Sequence, residues 1–335
     1  MVAGRVCPLH YRYTPEVFAH DAEFEAQTLY VVGGLYGNPE ALVEVLRMVR
    51  LEPSPHSVRV VFNGDFNWFN IDPHDFRFIN EAVLAHDAML GNVELEIAHP
   101  QPDDGCGCAY PEYVSEGMVH RSNAIMDKLQ HTAIGYPSVR SALGRLPMQR
   151  VVSVGGERIG ILHGDPESLA GWNFAVENME PSNEKLRARL GSSKDLSTPI
   201  KQVLDYFRRA QVNIFASSHT CLPFAQIFEG DRQARLVINN GSAGMPNFRN
   251  TQFGVATRIS ANTAIPQSSL YGVQLRTVRC DAIAIEYDHA AWVRRFRSQW
   301  PEGSPADRSY FGRILNGQDF SITEALRHGI HISRH

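Results

Sequence analysis

Lysine is scarce in this chain: of 32 basic residues only Lys128, Lys185, Lys194 and Lys201 are lysines. Against 36 acidic residues the formal net charge is −4, so the basic footprint that duplex nucleic acid or an anionic membrane surface demands is missing. No apolar run approaches the ~20 residues of a membrane span, and the first 21 residues hold no hydrophobic signal core. Cysteine is limited to five residues, an odd number, which argues against a disulfide scaffold and for a reducing, cytoplasmic setting. Repeats, low-complexity tracts and a convincing linker are also lacking. What is present is ordinary: 43% hydrophobic and 20% charged residues over 335 positions, a composition that excludes disordered, collagen-like and coiled-coil classes.

Short apolar runs alternate with amphipathic stretches, the pattern of a layered α/β architecture. Thr28 to Gly33 reads as a buried strand, followed by a helix from Asn38 to Val49 with Pro39 at its first position. Ser57 to Asn63 and Ala88 to Leu90 read as strands around a helix from Asp72 to His86. A loop rich in Pro, Gly and Cys runs from His99 to Pro111, and helices are expected over Val119–Gln130 and Ser138–Leu143. Gly155-Gly156 between two apolar runs predicts a hairpin. Beyond it, helices are expected over Glu167–Asn178, Thr198–Ala210 and Ala290–Arg297. Strands are expected over Val212–Ala216, Phe224–Phe228, Ala234–Asn239, Gly254–Ile259 and Asp281–Tyr287.

The residues with chemical potential collect at strand C-termini, where open α/β sheets place their sites. Gly34-Leu35-Tyr36-Gly37-Asn38 follows the first strand, Asn63-Gly64-Asp65 the second, and Gly91-Asn92-Val93-Glu94 the third. His163-Gly164-Asp165 ends the hairpin, and Ser217-Ser218-His219-Thr220-Cys221 ends the next strand. One Gly-Asp pair after a strand is an ordinary turn, but five such junctions in order, most with an oxygen or imidazole ligand, are not explained by turns.

This order resembles the calcineurin-like metallophosphoesterase superfamily, whose motifs run D-x-H-G-N, G-D-x-x-D, G-N-H-D/E, H-G and G-H-T-H, then N-P-G-S-x-G-x-P. The last is matched closely by Asn239-Asn240-Gly241-Ser242-Ala243-Gly244-Met245-Pro246. The resemblance covers about residues 28 to 290. It implies a four-layer αββα sandwich of two mixed sheets flanked by helices, and two divalent metals that clamp a phosphate. It also implies that Asp65, Asn92, His163 and His219 hold one metal, a donor set suited to Zn, Mn or Fe. The second metal's positions fall on Gly34, Tyr36, Asp65 and Cys221, the second Asp of G-D-x-x-D on Trp68, and the His of G-N-H on Val93. Of these, Cys221 as a thiolate is a further candidate ligand. Tyr36 is the candidate proton donor in place of the missing His.

The boundaries expected are an N-terminal extension (1–27), a metallophosphoesterase-like domain (28–298) and a C-terminal tail packed on the surface (299–335). Asp65, Tyr36 and His219 are the expected catalytic residues, and Arg121 and Arg249 the candidate phosphate contacts. Capping and solvated-surface roles compete for the two arginines. Trp68-Phe69 either wall an apolar pocket or belong to the core. Cys106 and Cys108, separated by one glycine, are either a metal-binding pair or two thiols of a flexible loop. Three functions follow: a phosphoric ester hydrolase for a small phosphoester or nucleotide, a catalytically silent protein that binds a metal, anion or partner, and a metal or redox sensor built on the thiols.

Overall fold

The computed structural model describes residues 3–101, 103–230 and 233–333. Its strands, in chain order, are β1 (Glu25–Ala26), β2 (Thr28–Val32), β3 (Val58–Asn63), β4 (Asp87–Met89), β5 (Gln149–Val154), β6 (Glu157–Leu162) and β7 (Ile214–Ser217). They continue with β8 (Phe224–Glu229), β9 (Ala234–Asn239), β10 (Gly254–Ser260), β11 (Ser269–Leu275), β12 (Val278–Ile285) and β13 (His331–Ile332). These form a six-stranded sheet, β1-β5-β6-β7-β9-β8, and a seven-stranded sheet, β13-β11-β12-β10-β2-β3-β4. Both are mixed: β2, β3 and β4 pair in parallel while β10 and β12 run antiparallel to their neighbours.

β2 explains the layering. All five of its residues are buried, and alternate side chains enter different cores. Leu29 and Val31 pack with Val151, Ile159 and Ile161 of the other sheet. Tyr30 and Val32 pack outward with Leu42 and Val45 of α1 (Pro39–Arg50), Phe76 and Ile79 of α2 (Pro73–Leu84), and Trp292 and Phe296 of an eighth helix, residues 289–299. Period-2 alternation on a strand buried on both faces thus makes one layer serve two cores. On the far side, Val203, Tyr206 and Phe207 of the helix Ile200–Ala210 cover the six-stranded sheet. The molecule is a sandwich of two mixed sheets flanked by helices.

Local signals placed most elements. Asn38 caps α1 through its side chain and Asp72 caps α2, each followed by the proline a first turn favours. Gly155 and Gly156 both adopt positive φ, +55° and +81°, as the expected hairpin turn requires. Four readings differ from the structure. Glu167–Asn178 is a chain of turns, not a helix: the Asp165 carboxylate accepts from the backbone amides of Glu167, Ser168 and Asn173 and folds the segment around itself. The helix expected to start near Val119 begins at Glu116, capped by Ser115. β11 was not anticipated, and it is stitched to β12 through Leu275↔Val278. The segment beyond Gln299, expected as a surface tail, buries Ala306, Ile314 and Phe320 completely. No helix among the described residues is long and apolar enough to cross a membrane.

Candidate metal centre

The two sheets meet at the C-terminal ends of their parallel strands, and the meeting point is hydrogen bonded. Asn63, at the end of β3, donates its side-chain amide to Leu162 O at the end of β6 (2.7 Å). Its own carbonyl lies 2.9 Å from His163 Nδ1. His163 O in turn accepts from the amides of Ser218 and His219, just past β7. Three strand ends are thereby locked together, and their loops deliver Asp65, His163 and His219 to one point.

The tautomers follow from the partners. A carbonyl can only accept, so His163 Nδ1 carries a hydrogen towards Asn63 O, and His219 Nε2 carries one towards Cys108 O at 3.2 Å. The remaining nitrogens, His163 Nε2 and His219 Nδ1, then face each other at 3.3 Å with lone pairs. Asp65 Oδ1 also lies 3.3 Å from His163 Nε2. Two lone pairs and a carboxylate oxygen at this spacing call for a cation or a proton between them. Asn92 adds a fourth donor: its Nδ2 donates to Cys106 O at 2.9 Å, while its Oδ1 is buried without a hydrogen-bond partner. An orphaned buried carbonyl is costly unless something positive meets it. For ligands about 2.0–2.1 Å from a tetrahedral ion the edge between donor atoms is about 3.3 Å, the spacing His163 Nε2 makes with both His219 Nδ1 and Asp65 Oδ1. The residues present therefore fit a divalent transition ion.

Burial lowers the His163 pKa, but the facing Asp65 carboxylate outweighs it and the net shift is upward. A proton on His163 therefore meets the demand for positive charge at this point when no ion does. Burial raises the Asp65 carboxyl, but the facing His163 and His219 rings outweigh it and hold the group below the usual carboxylate range. Burial and the neighbouring His163 push His219 down to about 3, which keeps it neutral and able to ligate. The support beneath is Glu94, fully buried in the first turn of α3 (residues 92–98). Its Oε2 accepts from the amides of Asp65 (2.6 Å) and Gly91 (3.2 Å), and its Oε1 from Asn67 N (3.1 Å). Gly64 at φ +72° and Asp65 at φ +54° complete the turn that aims the carboxylate. A β-carbon on Gly64 would meet Gly91 Cα at 2.5 Å.

The half expected from the weaker motifs looks different. Cys221 does not join the ligand cluster of Asp65, His163 and His219. Its thiol lies 2.8 Å from Tyr36 Oη and 3.2 Å from His219 O. Burial raises the thiol's pKa, against the guanidinium of Arg313 nearby. Gly34 bears no side chain, and Trp68 and Val93 line the cavity beside them.

That cavity, of about 180 Å³, opens onto Asp65, Asn92 and His219. Its walls are Trp68, Tyr110, Trp172 and Tyr310, with Arg313 at one side. Neither sequence-selected arginine lines it. Arg121 donates to Ser309 Oγ at 2.6 Å, and the exposed Arg249 pairs with Asp319. Trp68 walls the pocket, whereas Phe69 packs edge-on against Phe296 in the core. Cys106 and Cys108 form a disulfide across Gly107, both sulfurs buried. They are neither metal ligands nor a flexible thiol loop; their backbone carbonyls position Asn92 and His219. Arg313, Trp172 and Tyr310 escaped the sequence reading because they stand in no motif. Arg313 lies in a stretch whose only signal was Gly and Pro punctuation.

No family model and no curated protein matches the chain. Two solved structures are similar over almost their whole length. One is a hypothetical protein from Pyrococcus horikoshii OT3, with TM-score 0.53 and 14% identity, covering 87% of this chain and 99% of that one. The other is a metallophosphoesterase from Sphaerobacter thermophilus, with TM-score 0.50 and 15% identity, covering 88% and 100%. At these identities the likeness speaks of the fold. With two mixed sheets, flanking helices and ligands at the sheet junction, the chain has the fold of the calcineurin-like metallophosphoesterases.

Proposed function

We propose that this protein is a metal-dependent phosphoric ester hydrolase with one strong metal site, acting on a small phosphoester. The observation that carries this is the convergence of His163 Nε2, His219 Nδ1 and Asp65 Oδ1 around a common point, with the outer imidazole nitrogens held by carbonyls. Asp65, Asn92, His163 and His219 would hold the ion, Zn, Mn or Fe by donor chemistry. When bound, the ion would supply Lewis-acid polarisation of the phosphoryl group and activation of a water.

The chain's own residues do the rest. Glu94 fixes the Asp65 loop, and the carbonyls of Asn63 and Cys108 fix both imidazoles in the ligating tautomer. The aromatic walls exclude water and limit size: about 180 Å³ is below the roughly 300–1,000 Å³ of drug-sized ligand sites. Val93 cannot donate a proton, so the leaving group depends on Tyr36 Oη, on water or on its own acidity. Loss of one general acid costs about 10²–10⁴-fold, and phenolic esters should be cleaved far faster than alkyl esters.

A silent metal- or anion-binding protein is the competing reading, favoured by Val93, Gly34 and Trp68 at three positions where the superfamily pattern has functional side chains. The test is elemental analysis of protein purified without added metal or affinity histidines, followed by hydrolysis of mono- and bis-nitrophenyl phosphate with Zn, Mn or Fe. One ion per chain with metal-stimulated turnover, both lost in His219→Ala, supports the hydrolase. Metal retention without turnover on either ester selects the silent protein.

A further inference from the structure

We infer that Arg313 is a ligand for the phosphoryl oxygens, supplying the fixed positive charge that a second metal would otherwise provide; this rests on the reading of the site given above. Arg313 lines the same cavity as Asp65, Asn92, His219 and Cys221. Its Nη2 donates to Cys221 O at 2.8 Å and Asn247 Oδ1 at 3.2 Å, and its Nε to Pro246 O at 3.2 Å. All three acceptors are neutral. Among the described residues no carboxylate pairs with it, and its Nη1 has no hydrogen-bond partner. Arg258 differs in its charge balance, because its Nε and Nη2 fork onto the Glu52 carboxylate. A guanidinium held by carbonyls, uncompensated and facing a cavity, is a site for an anion.

Its position is fixed by the surrounding chain. The carbonyl of Arg313 accepts from Gly317 N at 2.8 Å, the next residue Ile314 is fully buried, and His289 Nε2 lies 2.7 Å from Ile314 O. Asn316 O accepts from Asn250 N at 2.7 Å. The segment is thus tied to the loop after β9, which carries Pro246 and Asn247. A donor held rigidly in advance costs no reorganisation when charge develops on the phosphoryl group. The charge need is real: the group in transfer spreads negative charge over three equatorial oxygens, and one dication reaches only part of it. The planar fork of arginine suits two of those oxygens.

The test uses inorganic phosphate and the full-length protein loaded with its metal. Phosphate affinity is measured by calorimetry for wild type, Arg313→Met, Arg313→Lys and Arg249→Met. Loss of a charge-assisted hydrogen bond pair should weaken phosphate about 10–100-fold in Arg313→Met. Arg313→Lys should fall between, and Arg249→Met should match wild type, with metal content unchanged throughout. On wild type alone, phosphate should protect Arg313 but not Arg249 from phenylglyoxal, read by peptide mass. This second measurement decides the matter if Arg313→Met fails to fold. Phosphate that binds wild type yet neither protects Arg313 nor discriminates Arg313→Met overturns the inference while leaving the hydrolase reading standing. Metal-loaded wild type that does not bind phosphate overturns both.

Discussion

Glu94→Gln is the most informative single change, because it keeps shape while removing the charge and replacing one acceptor oxygen with an NH₂ donor. Both carboxylate oxygens are surrounded by donors: Asp65 N and Gly91 N on Oε2, Asn67 N and Asn67 Nδ2 on Oε1. A glutamine can present one oxygen, so whichever way the amide turns, its NH₂ faces two N–H groups. Turning it towards Asn67 offers little relief, since Asn67 Oδ1 already accepts from Asn70 and Asn80. Two buried donors left without acceptors at about 1–3 kcal/mol each give about 2–6 kcal/mol of lost stability. Urea unfolding should show this as a lower midpoint at unchanged slope. The same change loosens the Asp65 turn, so metal affinity should fall about 10–100-fold, as for other residues that orient a metal ligand. A variant within about 0.5 kcal/mol of wild type, with unaltered metal affinity, would refute the assignment of Glu94 as the brace of the Asp65 loop.

Gly64→Ala combines a left-handed backbone with a collision against Gly91; it should cost about 3 kcal/mol or more and abolish metal retention, checked by unfolding and elemental analysis. The buried pair Glu52–Arg258, at 2.6 Å, is joined by Tyr30 Oη on the same carboxylate. Burial raises the Glu52 carboxyl, yet the Arg258 fork and the Tyr30 hydroxyl prevail and hold it below its ordinary value. A depressed folded pKa means stability present above the unfolded value of 4.5 and lost as pH falls through the folded one. The denaturation midpoint of wild type should therefore drop below about pH 4.5, whereas Glu52→Gln should lose this component of the acid limb; equal acid limbs would exclude the pair as a contributor. Saturating metal at about 100 times its Kd should stabilise wild type by about 2.7 kcal/mol, seen as a raised thermal midpoint that chelator reverses and His163→Ala lacks.

By itself the sequence determined the layered architecture and most strands, which are legible because strand periodicity is local. By contrast, Asp65, Asn92, His163 and His219 stood out only through the resemblance of their motifs to those of the metallophosphoesterases. Local reading failed at Glu167–Asn178, where a buried carboxylate from outside the segment competes for its amides. It failed again for Arg121 and Arg249, since whether an arginine faces the cavity, the Ser309 hydroxyl or the Asp319 carboxylate depends on residues 188 and 70 positions away. Only the tertiary structure decided that Tyr310 and Arg313, from the segment beyond Gln299, help build the site. Arg313 and Tyr310 reach it by long-range packing of Ile314 and Phe320, and such packing leaves no periodic or spacing signal in one sequence. Tertiary contact likewise chose the imidazole tautomers. Hydrogen bonds to the carbonyls of Asn63 and Cys108, which come from distant loops, turn the two lone pairs inward towards Asp65.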